Sequence, residues 1–362
     1  MDARERTFLA LDHEEPDRVP IDFWSSAGFD RKVRAQLGLS REDYLDRHDV
    51  DLRYIAGPRY IGPPLATFPD GSSEDLWGVR RSRADVDTGV GSERYSEVSF
   101  SPLADAQDVR AVEEYEHWPC VDWFDYSGIE AQCDAIRQQG RVVVFMGDRL
   151  NRVAQLKPAM YLRGVEQILV DVAVNPEMAR AIFGKIRAFY LDYAERIFEA
   201  ARGKIGLVLT GDDFGSQNGP LLSPQMWSEF LSDGFGRYIA LAQSYGLRVM
   251  HHTCGSVRPI IPLMIELGLD VLQSLQPEAA DMDARALKAD FGEQLCFHGG
   301  VSVQRTLPFG APDDVRREAK DRIEALAPGG GYILCTAHNI QADVPVENAE
   351  ALFQAHREYG TY

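Results

Sequence analysis

From about residue 140 the chain alternates short apolar runs with longer stretches in which apolar positions recur every three or four residues. The runs are "RVVVFMG" (141–147), "IGLVLTGDD" (205–213), "LRVMHHTCG" (247–255), "DVLQSLQPE" (270–278), "QLCFHGG" (294–300) and "GYILCTAHN" (331–339). Their length predicts buried strands, and the stretches between them, such as 175–203 and 223–246, predict amphipathic helices. Ser223 before Pro224 marks a helix start, a capping hydroxyl followed by a residue preset for the first turn. Strand–helix repetition on this scale predicts a parallel sheet. No GxGxxG turn interrupts it, and the reactive side chains gather at C-terminal strand ends, so the pattern favours a (β/α)8 TIM barrel. Earlier in the chain, "DLWGVRRSRADVDTGVGSERYSEVSFSPL" (75–103) alternates and turns like antiparallel strands. We therefore expect one barrel domain over 1–362, with an N-terminal extension and a small β-rich cap or insertion at 61–120.

Composition narrows the partners. At 362 residues and 45% hydrophobic, the chain can bury a large core. Acidic residues outnumber basic ones 56 to 38, a formal charge of −18, which disfavours nucleic acid and anionic membrane surfaces. No apolar run approaches the roughly 20 residues that cross a bilayer, and the first residues lack the apolar core of a signal peptide. Five cysteines without a CxxC pair do not suggest a disulfide framework, so a cytoplasmic location is expected.

The chemistry concentrates in "VMHHTCGS" (249–256). On a strand, Met250, His252 and Cys254 share one face, and His251 and Thr253 take the other. Imidazole and thiolate two residues apart at a strand end suit zinc, which at catalytic sites takes three protein ligands and keeps a fourth position open. By itself an HxC pair is also an ordinary core feature. A third donor must come from elsewhere, and "GGYILCTAHNIQ" offers both Cys335 and His338. Asp212 and Asp213 close another strand, with opposite parity, as candidates for ligation, orientation of His252 or proton transfer; a helix N-cap is the plain alternative. Gln217, Gln276 and His298 are candidate polar walls of a substrate site. Phe23, Trp24, Tyr54, Tyr60 and Trp77 are candidate aromatic roofing, with Trp24 taken as substrate-binding.

These stretches resemble the uroporphyrinogen decarboxylase superfamily. The likeness rests on "HTCG", "HGGVSVQRTLPFGAPDDVRREAKDRI" (298–323), "GGYILCTAHNIQADVPVENAEAL" (330–352), "ERTFLALDHEEPDRVPID" (5–22) and "GDDFGSQNGPLLSPQMWSEF" (211–230). The resemblance implies a (β/α)8 barrel and is closest to the zinc- and cobamide-dependent methyltransferase branch. The decarboxylases' arginine-rich "RQAGR" is absent from the corresponding "IDFWSSAGFDRK" (21–32), and "DVDLRYIAGPRY" (49–60) lacks their strand-end acid. In the methyltransferase branch, His-x-Cys and a cysteine on the last strand hold zinc. His252 and Cys254 match the first two ligands, and the third is either His338 or Cys335. Relatives also often carry an acid where Ser302 stands.

That branch implies a zinc enzyme moving a methyl group between a small substrate (methyl ether, methylamine or thiol type) and a cobamide (corrinoid) carried by a separate protein, with a homodimer as a family-level expectation. The alternative is a decarboxylase or other lyase without metal, acting on a different carboxylated substrate with His338 as acid and base. A third reading is a non-enzymatic barrel that binds a corrinoid protein or a small ligand.

Overall fold

In the computed structural model, which describes residues 1–87, 92–146 and 153–362, the apolar runs pair as one curled parallel sheet. The strands are β1 (Leu52–Ile55), β2 (Arg59–Tyr60), β3 (Ser73–Glu74), β4 (Arg80–Asp87), β5 (Ser92–Phe100) and β6 (Phe124–Asp125), then β7 (Val142–Phe145) and β8 (Leu207–Gly211). They continue with β9 (Arg248–His252), β10 (Val271–Leu275), β11 (Cys296–Val301) and β12 (Tyr332–Thr336). Seven of them form the sheet in the order β1-β7-β8-β9-β10-β11-β12. Gly147, at the end of the first predicted run, and residues 88–91 lie outside the described residues.

Period-two alternation sorts the sheet into two apolar layers. Val142, Val144, Leu207, Leu209, Met250, Val271 and Ile333 meet on the concave face in one buried cluster with Trp24 and Cys335. Their chain neighbours Val143, Phe145, Val208, Val249, Leu272 and Leu334 join the larger cluster beneath the helices. The helix Pro176–Ala201 covers part of that outer face. Proline opens it, and Met178, Ala179, Ile182, Phe183, Ile186, Phe189, Tyr190, Tyr193 and Ile197 form one buried stripe at helical spacing.

The N-terminal residues complete the concave side. Helix Ala3–Leu11 adds Ala3 and Leu11 to the inner cluster, while Arg6 and Arg18 both pair with the fully buried Asp51 at 2.7 Å. Residues 20–26 then run beside β12 in isolated bridges, not a continuous ladder. Asp22 N–H donates to the Leu334 carbonyl at 2.9 Å and Leu334 N–H to that of Pro20 at 2.8 Å. On the other side, Asp51 N–H reaches the Ile21 carbonyl at 2.9 Å, just before β1.

Within 61–120, β3, β4 and β5 form a three-stranded antiparallel sheet. β5 is tied to the loop after β12: the Glu93 carboxylate accepts Ala342 N–H at 2.8 Å, and the Tyr95 hydroxyl donates to Gln341. Among the described residues no helix is long and apolar enough to cross a membrane.

One buried histidine makes stability depend on pH. Burial pushes the His356 imidazole down to about 4, against the pull of the Val19 carbonyl to which Nε2–H donates at 2.7 Å. The folded chain thus resists a proton that the unfolded chain accepts below its ordinary value of 6.5. Stability from this group is complete above that pH and is lost as pH falls toward 4, by about 3 kcal/mol in all. Urea unfolding should show this extra loss in the wild type relative to His356→Gln; parallel pH profiles would contradict it.

Candidate functional site

Strand β9 delivers its last side chains by simple alternation. Met250 lies in the inner cluster, so His252 faces the same side, and Cys254 follows just past the strand end. His251 turns outward, its Nδ1 2.6 Å from Thr210 Oγ1 and its ring stacked on Phe214. Thr253 shares that side and accepts Phe214 N–H at 2.9 Å.

His252 Nε2 and Cys254 Sγ stand 3.5 Å apart. A ring nitrogen of His338 completes a group whose donor atoms all lie within 4.8 Å of one another. Around tetrahedral zinc, nitrogen and sulfur ligands sit about 3.6 Å from each other, so the spacing fits that ion. Gln273, the register partner of His252 on β10, accepts the proton of Nδ1, which fixes the tautomer and turns Nε2 toward Cys254. Burial, with the nearby Asp213 charge, pushes the Cys254 thiol up to about 12, and a bound cation would displace its proton. His338 sits beyond the end of β12, where Thr336 Oγ1 donates to its carbonyl at 2.6 Å, and its ring lies 5.3 Å from that of His252. Of the two third donors the sequence offers, His338 joins the group. Cys335 does not; it is fully buried beside Asp22 and His298.

The two acids after β8 part company. Asp213 Oδ1 lies 3.5 Å from His252 Nε2 and accepts Cys254 N–H at 3.1 Å, while its other oxygen pairs with Lys157. Burial raises the Asp213 carboxyl, but the hydrogen bond and charge of His252 and the charge of Lys157 outweigh it and hold the group well below the usual range. Asp212 faces away. Its carboxylate accepts the N–H groups of Gln155, Leu156 and Lys157 at 2.6, 2.9 and 2.7 Å, anchoring the start of helix Leu156–Arg163. The catalytic role expected of Asp212 is thereby corrected to a structural one: its oxygens are occupied by backbone donors.

A cavity of about 470 Å³ opens above the donor group, and Trp24, Tyr54, Trp77, Met146, His252 and His338 are among its walls. Of the expected substrate contacts, Trp24 therefore lines the cavity. Gln217, Gln276 and His298 are not among its described walls. Gln276 donates to Gln217 at 3.2 Å and accepts Gly255 N–H at 3.0 Å, bracing the loop behind Cys254. His298 is wholly buried against Asp22. Of the expected aromatic roof, Phe23 packs instead with Phe29, Tyr44 and Phe353, and Tyr60 with Trp123 and Phe124.

Asp22 was not anticipated. It is 1% exposed, and a single oxygen, Oδ2, accepts from His298 Nε2 at 2.9 Å, Trp24 Nε1 at 2.9 Å and the Tyr54 hydroxyl. Oδ1 takes Phe23 N–H at 2.7 Å. This network sets the plane of the Trp24 ring, whose centroid lies 5.9 Å from that of His252 and 5.8 Å from that of His298. A sequence signal existed: one carboxylate inside the apolar stretch "VPIDFW", where burial demands partners.

The profile of the uroporphyrinogen decarboxylase (URO-D) family matches residues 153–359. Among solved structures, a methyltransferase from Methanosarcina mazei superposes with a TM-score of 0.70 over 99% of both chains at 18% identity, a likeness of fold. A 3-keto-D-glucoside 4-epimerase from E. coli (14% identity, 64% of this chain and 94% of that one, TM-score 0.36) matches too weakly to carry an argument. So does a D-psicose 3-epimerase (11%, 69% and 85%, 0.39). No curated protein sequence matches the chain.

Proposed function

The chain belongs to the uroporphyrinogen decarboxylase (URO-D) family, and from that premise we propose that it is a zinc-dependent methyltransferase. It moves a methyl group between a small molecule in the cavity and a corrinoid carried by a separate protein. The observation that carries this reading is the convergence of His252, Cys254 and His338, two of which line the cavity, at a spacing that suits zinc. The fold shared with the Methanosarcina methyltransferase supports it. We also read residues 20–26 as the strand that closes the sheet into an eight-stranded barrel, which puts all three donors at its C-terminal rim.

Bound there, zinc supplies positive charge that favours the anionic form of the atom gaining or losing the methyl group. The rest is the work of the chain's own side chains. Gln273 orients His252 through Nδ1. Asp213, held ionised beside Lys157, fixes the Cys254 backbone through its N–H. Trp24, Tyr54 and Trp77 present aromatic faces that exclude water from the reacting end of the ligand.

A metal-free decarboxylase with His338 as acid and base is the second reading. The arginines at the cavity mouth favour it, because they suit a carboxylated substrate. It leaves no role for a cysteine 3.5 Å from His252. Metal analysis and turnover of the purified protein separate the two. We expect about one zinc per chain and zinc-dependent formation of methylcobalamin from cob(I)alamin and a methyl donor. Full activity in a zinc-free sample, or release of CO2 from a carboxylated substrate without metal, would establish the lyase instead.

A further inference from the structure

We propose that Ser274 is a positioning residue of the donor group: through the Ala337 carbonyl it sets the His338 ring at the distance from Cys254 that a zinc ion requires. The inference rests on reading His252, Cys254 and His338 as a metal site, and it names what holds the third donor in place.

The place of His338 needs a cause, because it lies beyond regular structure. The ladder between β11 and β12 runs to the pair Val301–Thr336, and Ala337 N–H then donates to the Val301 carbonyl at 2.8 Å. His338 follows, where the chain is leaving the sheet. Just there the Ala337 carbonyl accepts the hydroxyl proton of Ser274, which comes from β10, two strands away. Ser274 is 1% exposed, so water cannot stand in for this bond if the hydroxyl is removed. Its oxygen also lies 3.8 Å from Cys254 Sγ. The one hydroxyl proton is given to the carbonyl, so the thiol is the donor in that second contact. A single side chain thus touches Cys254 and the residue that carries His338 into place.

Two features of the neighbouring strands make the bond possible. β11 lies between β10 and β12 and would ordinarily keep their side chains apart. At the crossing it has Gly299, with φ +107°. A Cβ there would stand 3.2 Å from the Thr336 carbonyl oxygen, 3.4 Å from Leu275 N and 3.6 Å from Ala337 Cα, so a side chain would fill the gap between β10 and the end of β12. β10 itself is irregular. Its register against β11 slips between Gln273 and Leu275, and Ser274 has no partner in that ladder. Two consecutive side chains therefore meet the donor group, against the usual alternation: Gln273 at His252 Nδ1, and Ser274 at Cys254 and Ala337. All three donors are braced from one strand. A satisfied buried hydroxyl is also an ordinary core feature, and the two roles differ in what they do to metal binding.

The test measures metal binding with cobalt(II) as the probe, because its thiolate charge-transfer band reports binding at Cys254 itself. Metal-free full-length protein is titrated as wild type, Ser274→Ala, His338→Ala and the double variant. Ser274→Ala should weaken cobalt by about tenfold to a hundredfold, the effect of losing a partner behind a metal ligand. Without metal it should melt within about 4 °C of the wild type, as one lost hydrogen bond allows. In the His338→Ala background the same change should weaken cobalt by less than about twofold, since the ring it positions is gone. Equal affinity of Ser274→Ala and wild type overturns the proposal. So does a loss as large without His338 as with it, or one accompanied by a metal-free melting temperature lower by more than about 4 °C, since Ser274 would then act on Cys254 or on the fold at large. A wild type that binds no cobalt through Cys254 overturns this proposal together with the zinc reading. Ser274-dependent binding without methyl transfer upholds the positioning role while the methyltransferase reading fails.

Discussion

Protein carrying Cys254→Ser should purify folded but nearly free of zinc, with methyl transfer reduced about a thousandfold or more. Cys254 lies beyond the end of β9, so exchanging sulfur for oxygen disturbs no ladder bond of the sheet. What it removes is one of three donors. A serine hydroxyl ionises far less readily than a thiol and binds zinc poorly, so zinc content should drop from about one per chain to about a tenth or less. If zinc stabilises the charge of the reacting atom by several kcal/mol, the rate falls by the factor given. His338→Ala should behave in the same way, whereas Cys335→Ser should keep its zinc, because that thiol is grouped with Asp22 and His298 instead. Elemental analysis of the three variants beside their melting curves decides the matter. Zinc retained by Cys254→Ser, or lost from Cys335→Ser, would redraw the donor set.

The largest expected effect on stability belongs to Asp22→Ala. Wild-type Asp22 is buried on all sides; burial raises its carboxyl, but the hydrogen bond and charge of His298 and the hydrogen bond of Tyr54 outweigh that and keep it ionised. Truncation strands two donors, the ring N–H of His298 and the hydroxyl of Tyr54, and leaves the indole N–H of Trp24 with the Tyr54 oxygen alone. A buried donor left without its acceptor costs about 1–3 kcal/mol, so the two together cost about 2–6 kcal/mol. For a chain of this size that corresponds to a melting temperature lower by about 10 °C. With the carboxylate beside its indole gone, Trp24 should also shift its fluorescence, a change that general softening elsewhere in the chain would not produce. A variant that melts within a degree of the wild type, with unaltered emission, would show that the network is ornamental.

Some of this was legible in advance. The parity of His252 and Cys254 against His251 and Thr253 follows from the backbone itself, since neighbouring residues on any strand point to opposite faces. The same rule limited Asp212 and Asp213 to one inward member without saying which. That choice depended on β8 ending at Gly211, and on backbone N–H groups at the start of helix Leu156–Arg163 being there to bind Asp212. Gln217 and Gln276 looked like cavity walls because they lie at strand ends, but at that level a side chain can face a neighbouring loop as easily as a ligand. The arginines at the cavity mouth escaped notice because no single motif contains them: Arg31 and Arg41 come from the first helices, and Arg94 from β5.

Local pattern alone thus indicated six of the seven strands of the parallel sheet, helices between them and the shared face of His252 and Cys254 at the end of β9, for each depends on residues a few positions apart. The third donor is different. Cys254 and His338 are 84 positions apart (338 − 254), and Cys335 has as good a claim by chemistry. Only the curl of the sheet, which brings the loop after β12 over the end of β9 and leaves Cys335 in the packed interior, chose between them. Alternation specifies which face a side chain takes; how far along the concave face it meets its partners depends on the packing of every strand between them.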